Sequence, residues 1–353
     1  MMRTKPNYDK AKNAALKALK KHNIQDFPIN ILEILDSYKD IKIIKYSEMA
    51  RKRNCTLEEI IEINSSEDGV IHYSGDRDKY LIAYNDVIEH QERVYWTLAH
   101  EFGHYLLGHH KESDRTSLAR NEMTEEEYDA REVEANFFAR FFLSPPPVIA
   151  MANLNDYQKI MDFFGVSYTA AKNTLNYIER SYKKGFRFFL PNDLFNNLKV
   201  FFNKVSYGKT CLKCGVFSYL KDSKFCPNCG SHEFHNFFKG ADFNMYYPGI
   251  ITNKENGKAL ECPVCRNQET EIEGEYCCQC GTHIVNRCTN LAKDWNGDFY
   301  HTCITPLPGN CRHCPQCGQP TTFLQNGLLK QWTVEREIEK QHQQNQLFLA
   351  SSH

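Results

Sequence analysis

Apolar and polar positions follow two periods along the first part of the chain. From Tyr8 to Lys21, alanines and leucines recur at helical spacing among lysines, which predicts a first helix. Pro28-Ile29-Asn30 opens a second, through Ile31, Leu32, Ile34 and Leu35. Ile41-Lys42-Ile43-Ile44 reads as a short strand, and Thr56 and Glu59 stand in capping-box spacing ahead of Ile60 and Ile61. Asp68 to Tyr73 and Lys79 to Asn85 read as paired strands about a turn at Ser74-Gly75-Asp76. A helix beginning near Glu89 follows, then another from Glu125 to Leu143 that stops at Ser144-Pro145-Pro146-Pro147. Ile160 to Leu175 predicts helix, tight turn at Gly165, and helix. The pattern is that of an α+β unit: a small mixed sheet followed by two long helices.

Those two helices carry the candidate chemistry. The first contains His100-Glu101-Phe102-Gly103-His104, an H-E-x-x-H stretch. On a helix, positions four apart share a face, so His100 and His104 can grip one ion from the same side. Glu101, one step round, can reach a water on that ion, which is the arrangement of a zinc hydrolase. Leu98, Ala99, Leu106 and Leu107 make this helix at least half buried, and burying two imidazoles and a carboxylate is costly unless they are paired or bind a metal.

A third protein ligand is needed. His110 lies six residues after His104, but a helix-breaking glycine three residues after His104 would be required to bring it round, and Leu107 is there. His109 and His110 therefore read as a solvated helix end, where cations are favoured. The second helix offers a stripe of Glu132, Ala135, Asn136 and Ala139. Its small residues allow close packing against the motif helix, with Glu132 as third ligand and Asn136 holding the outer nitrogen of a ligand histidine. Glu134 is the rival, on a stripe with Phe137, Phe138 and Phe141 that reads as core.

The stretch Arg93 to His104, followed by Glu132-Val133-Glu134-Ala135-Asn136-Phe137-Phe138-Ala139 and the stop at Leu143-Ser144-Pro145, resembles the ImmA/IrrE family of zinc metallopeptidases. The strand ending Tyr84-Asn85 fits the same pattern. The resemblance implies a minimal gluzincin-like protease domain, with His100, His104 and Glu132 as zinc ligands and Glu101 as general base. It implies a cytoplasmic endopeptidase that cleaves helix-turn-helix transcriptional repressors, in prophages, mobile elements or stress responses. One departure is Phe141-Phe142-Leu143, where the family more often has a leucine-rich run. The resemblance covers roughly residues 10–185. The strand Tyr80 to Tyr84 is the expected partner for an extended substrate. Tyr105, His72 and Tyr84 are candidate oxyanion donors.

Cysteine usage changes the picture of the second half. Of 15 cysteines, only Cys55 precedes residue 211. C-x-x-C pairs in a chain with no apolar leader after Met1-Met2-Arg3 point to zinc rather than disulfides, and to a reducing cytoplasm. Cys211, Cys214, Cys226 and Cys229 form one zinc ribbon by spacing, and Cys262, Cys265, Cys277 and Cys280 a second. The third is looser: Cys314 and Cys317 take Cys288 and Cys303 as partners, since Cys311 is crowded against Cys314, with Cys303, Cys311, Cys314 and Cys317 as the alternative set.

The expected organisation is a peptidase domain over 1–147, a helical helix-turn-helix-like segment over 148–200, ribbons over 205–240, 255–284 and 285–322 in tandem, and a C-terminal helix and tail over 323–353. One catalytic and about three structural zinc ions are expected. Formal net charge is −1 over 353 residues, and no run of eighteen apolar residues occurs, so neither a nucleic-acid-binding charge nor a membrane span is indicated. The ribbons are read as a protein-recognition surface first. Nucleic acid is second, since Arg266, Arg287, Lys293 and Arg312 are interleaved with acidic residues. A non-enzymatic or DNA-binding regulator is the alternative reading of the whole chain. The helix-turn-helix-like segment lacks a basic face, which favours packing over DNA reading.

Overall fold

The structure is a computed structural model, and residues 5–110, 125–235, 247–253, 255–270, 273–303 and 306–350 are described. The end of the first ribbon range, 236–240, lies outside them. The chain divides into two units, Met1–Phe202 and Asn203–His353.

The first unit begins with α1 (Tyr8–Lys21) and α2 (Ile31–Asp36), then β1 (Ile41–Lys45). Next come α3 (Tyr46–Arg53) and α4 (Leu57–Asn64), the latter opened by a complete capping box between Thr56 and Glu59. Helix α3 buries only Tyr46 and Met49 among charged neighbours, so it leaves little trace in the hydrophobic pattern. Strands β2 (Gly69–Ser74) and β3 (Lys79–Tyr84) complete a mixed sheet of order β1-β3-β2. Strand β3 pairs in parallel with β1 and antiparallel with β2. Both of its edges are therefore occupied, and it cannot pair with a substrate as its sequence suggested. Strand β2 is the outer strand on the other side.

Helix α5 (Gln91–Leu107) packs over this sheet, and α6 (Glu125–Leu143) packs against α5 and α1. Leu98, Ala99 and Phe102 of α5 and Ala135, Phe138, Ala139 and Phe142 of α6 are completely buried. Gly103 sets how closely the two helices approach. A Cβ there would lie 3.3 Å from both the Cα and the carbonyl oxygen of Ala135.

Helices α7 (Pro146–Met151), α8 (Tyr157–Phe164) and α9 (Tyr168–Lys183) follow, then α10 (Asn192–Asn197) and α11 (Lys199–Tyr207). The α8–α9 turn at Gly165 has φ +62° and lies against Pro28. Phe27 meets Phe164 and Phe201 with ring centroids 4.7 and 5.1 Å apart. The helix-turn-helix-like segment is thus packed into the first unit rather than standing apart from it.

The second unit is built from cysteine knuckles. At Cys211, Cys226, Cys262, Cys277 and Cys314, the N–H four residues on donates to the cysteine carbonyl at 2.8–2.9 Å. The donating residues, Gly215, Gly230, Arg266, Gly281 and Gly318, all have φ between +62° and +76°. That left-handed position explains the glycine that follows most of the C-x-x-C pairs. The first ribbon adds β4 (Lys209–Cys211), β5 (Phe217–Ser218) and β6 (Phe234–His235). Cys288 and Cys303 belong to no knuckle; the hairpin of β7 (Leu291–Lys293) and β8 (Phe299–His301) runs between them.

The ribbons are not beads on a string. The carbonyl of Pro227 accepts from the N–H groups of Arg312 and His313 at 2.8 and 2.9 Å. The carbonyl of Pro315 accepts from those of Lys224 and Phe225 at 2.7 and 2.9 Å. The same positions of two C-P-x-C-G knuckles clasp each other, so the first and third ribbons pair across the second. The second ribbon shares a core with Phe323 of α12 (Thr322–Gln325) and with Leu329, ahead of α13 (Trp332–Ala350).

Candidate metallopeptidase site

Helical period and the close α5–α6 approach together bring three ligand atoms to one point. His100 and His104 present Nε2 atoms 3.0 Å apart. Glu132, from α6, lies between them, with its oxygens 3.1 Å from His100 Nε2 and 3.3 Å from His104 Nε2. Ligands at 2.0–2.1 Å around a tetrahedral zinc ion are roughly 3.3 Å apart. The residues present therefore fit a zinc ion. His100 Nδ1 lies 3.1 Å from Asn136 Oδ1, the outer support read from the α6 stripe.

Burial and charge shape this cluster. Burial depresses His104, to about 3, against the opposing pull of Glu132. Burial acts the same way on His100, but its hydrogen bond to Glu132 and the charge of Glu101 leave its pKa raised. Burial would raise Glu132, but its bonds to both histidines hold its carboxyl far below the ordinary range. Glu101 is buried and coordinates nothing in the cluster; burial first, and the Glu132 charge after it, push it up to about 7, opposed by His100 and by a hydrogen bond from the Ile71 backbone.

Residues 58–176 match a peptidase-family model described as the IrrE N-terminal-like domain. This stretch of the chain, about a third of it, is similar to the IrrE N-terminal-like domain. It holds His100, Glu101, His104 and Glu132, all within the matched residues. The family is one of metallopeptidases of the IrrE/ImmA type, and it implies a metal in the domain. No curated protein matches the chain.

Two features of the domain differ from their reading in the sequence. His109 and His110 are not a solvated helix end: they are 1% and 0% exposed. Gly108, at φ +72°, ends α5 in a left-handed turn that folds both rings back into the protein. Burial lowers both, His110 to about 4, so neither is a cation at the helix terminus. His110 Nε2 bonds the Ile71 carbonyl at 3.2 Å, and His109 lies between His104 and Glu134. Glu134 is buried, as its stripe suggested, but it is paired with His109 rather than merely packed. No local signal marks this pairing, because its members come from different elements.

Among the oxyanion candidates, the Tyr105 hydroxyl donates to Asp40 at 2.8 Å, and His72 is bonded to Asn64 at 3.2 Å. Tyr84 is buried at the end of β3.

In the second unit, three tetrads gather their Sγ atoms within 4.8 Å of one another: Cys211, Cys214, Cys226 and Cys229; Cys262, Cys265, Cys277 and Cys280; Cys288, Cys303, Cys314 and Cys317. Sγ separations are 3.5 and 3.6 Å in the first, 3.6 Å in the second and 3.4 Å between Cys288 and Cys317. Thiolates at 2.3 Å around a tetrahedral zinc are roughly 3.8 Å apart, whereas a disulfide needs about 2.05 Å. These clusters are compatible with zinc ribbons. Cys311 is buried outside the third tetrad, with its thiol pushed up to about 12 by burial. Cys278 is exposed outside the second.

Two of the basic residues considered for phosphate contact, Arg312 and Arg287, are committed within the protein. Arg312 is completely buried, and its guanidinium donates to the carbonyls of Lys330 at 2.6 Å and Pro248 at 3.1 Å. Arg287 pairs with Glu275. No helix among the described residues is long and apolar enough to cross a membrane.

Proposed function

We propose that the chain is a cytoplasmic zinc-dependent endopeptidase whose substrate is a helix-turn-helix transcriptional repressor. The observation that carries this is the convergence of His100, His104 and Glu132 beside a buried Glu101 that makes no bond to them. Zinc, when bound by the triad, supplies the Lewis acidity that activates water and polarises the scissile carbonyl. Glu101 takes the proton of the attacking water and returns it to the leaving amine. A carboxyl titrating near neutrality is suited to both transfers. Asn136 fixes His100 by its outer nitrogen, which leaves Nε2 free to bind. Strand β2, one of the two edge strands of the sheet, is the surface on which an extended substrate would align.

The cysteine tetrads are proposed to hold three structural zinc ions and to form a protein-recognition unit. Burial of Arg312 and pairing of Arg287 remove two of the four cations considered for phosphate contact, which supports a protein partner over nucleic acid. The test is incubation of the full chain with a purified helix-turn-helix repressor, taken from the neighbouring genes where one of them encodes such a protein. Cleavage by the wild type, and stable capture without cleavage by Glu101→Gln, supports the proposal. Cleavage by Glu101→Gln would refute the assigned base, and an intact repressor with the wild type would refute the substrate.

A further inference from the structure

We infer that His109 and Glu134 form a proton-ordering relay behind His104, and so act as positioning residues for the metal. The inference rests on the reading of His100, His104 and Glu132 as ligands. His104 faces the triad with Nε2, so that nitrogen supplies the lone pair and the imidazole proton must sit on Nδ1. His104 Nδ1 lies 2.8 Å from His109 Nδ1, which must then accept. A neutral imidazole has one donor and one acceptor nitrogen. The His109 proton is therefore on Nε2, which lies 3.0 Å from Glu134 Oε2. The other Glu134 oxygen accepts from the Asn7 backbone N–H at 2.5 Å. Every proton in the chain of contacts is thus assigned, and its negative end is a carboxylate 5% exposed.

The backbone holds the relay in place. Arg131 Nη1 donates to the His109 carbonyl at 3.0 Å, and the left-handed turn at Gly108 directs the His109 ring under α5. The two ligand histidines are consequently supported in different ways. His100 donates to the neutral amide of Asn136, whereas His104 is backed through His109 by a full charge, which raises the basicity of a metal ligand. Glu134, two residues from Glu132 on α6, serves the site from behind and takes no part in the ligand set.

The test uses the full-length chain and reads zinc affinity by chelator competition, together with histidine tautomers by ¹⁵N-edited NMR of imidazole-labelled protein. His109→Phe keeps the ring volume and removes both nitrogens. It should weaken the triad zinc by about 10–100-fold, the range for lost outer support. Glu134→Leu should do the same, while Glu134→Gln, which keeps an acceptor for His109, should fall between it and wild type. In the wild type, His104 should be the Nδ1–H tautomer and His109 the Nε2–H tautomer. A His109 protonated on Nδ1 would overturn the relay, as would unchanged zinc affinity in His109→Phe and Glu134→Leu. If His109→Phe fails to fold, the two Glu134 variants and the wild-type tautomers decide alone. A wild type that binds zinc only at its cysteines would refute the ligand reading instead, so the two failures are distinct.

Discussion

Substituting Gly103 by alanine sets helix propensity against packing at the point where α5 touches α6. In an unconstrained helix, Gly→Ala stabilises by about 1 kcal/mol. In this chain the added Cβ would stand 3.0 Å from Phe138 Cδ1 and 3.3 Å from the Cα and the carbonyl oxygen of Ala135. The Phe138 ring can yield, but the Ala135 backbone moves only if α6 moves. Carbon contacts are comfortable from about 3.5 Å, so α6 must retreat by a few tenths of an ångström. Overpacking of this kind costs about 1–3 kcal/mol, which leaves a net loss of up to about 2 kcal/mol. The retreat carries Glu132 and Asn136 away from His100 and His104, so the triad zinc should weaken by about tenfold, the low end for disturbed metal support. Urea denaturation gives the first quantity and chelator competition the second. A Gly103→Ala variant that is more stable by about 1 kcal/mol, with wild-type zinc affinity, would refute the close-approach argument.

Other perturbations test the second unit. Arg312→Met removes the buried guanidinium that donates to the Lys330 and Pro248 carbonyls and leaves Glu335, 3.4 Å away, without its cation. The loss should be about 3–5 kcal/mol in denaturant unfolding of that unit; a loss below about 1 kcal/mol would mean the site relaxes. Cys303→Ser should lower the zinc content by one ion per chain, while Cys311→Ser should leave it unchanged; the reverse result would assign Cys311 to the third tetrad. Stripping all zinc should unfold the second unit, whose buried clusters contain its own cysteines, while the helical signal of the first unit persists. Loss of the whole far-ultraviolet signal on chelation would contradict an independent apolar core in the first unit.

What could be read from the sequence was what local period controls. Helical spacing alone puts His100 and His104 on one face, and the Glu132–Ala135–Asn136–Ala139 stripe gives the second helix a flat side to approach them. C-x-x-C followed by glycine encodes a knuckle within six residues. What could not be read depends on contacts between distant segments. His109 and His110 look like exposed polar residues because their partners, Glu134 and Ile71, are 25 and 39 residues away. The order β1-β3-β2 puts the hairpin's second strand in the middle, which nothing in its own alternation reveals. Arg312 reads as a surface cation, yet its partners Pro248 and Lys330 are 64 and 18 residues distant. The clasp between Pro227 and Pro315 leaves its mark only in retrospect, as two knuckles with the same C-P-x-C-G sequence.

The central claim is that the triad, and not only the cysteines, holds zinc. Metal analysis of the purified full-length chain tests it most directly, in the wild type and in a His100→Ala/His104→Ala double variant. About four zinc ions per chain are expected in the wild type, falling by one in the double variant. Equal zinc content in the two proteins would contradict the assignment of a metal to His100, His104 and Glu132.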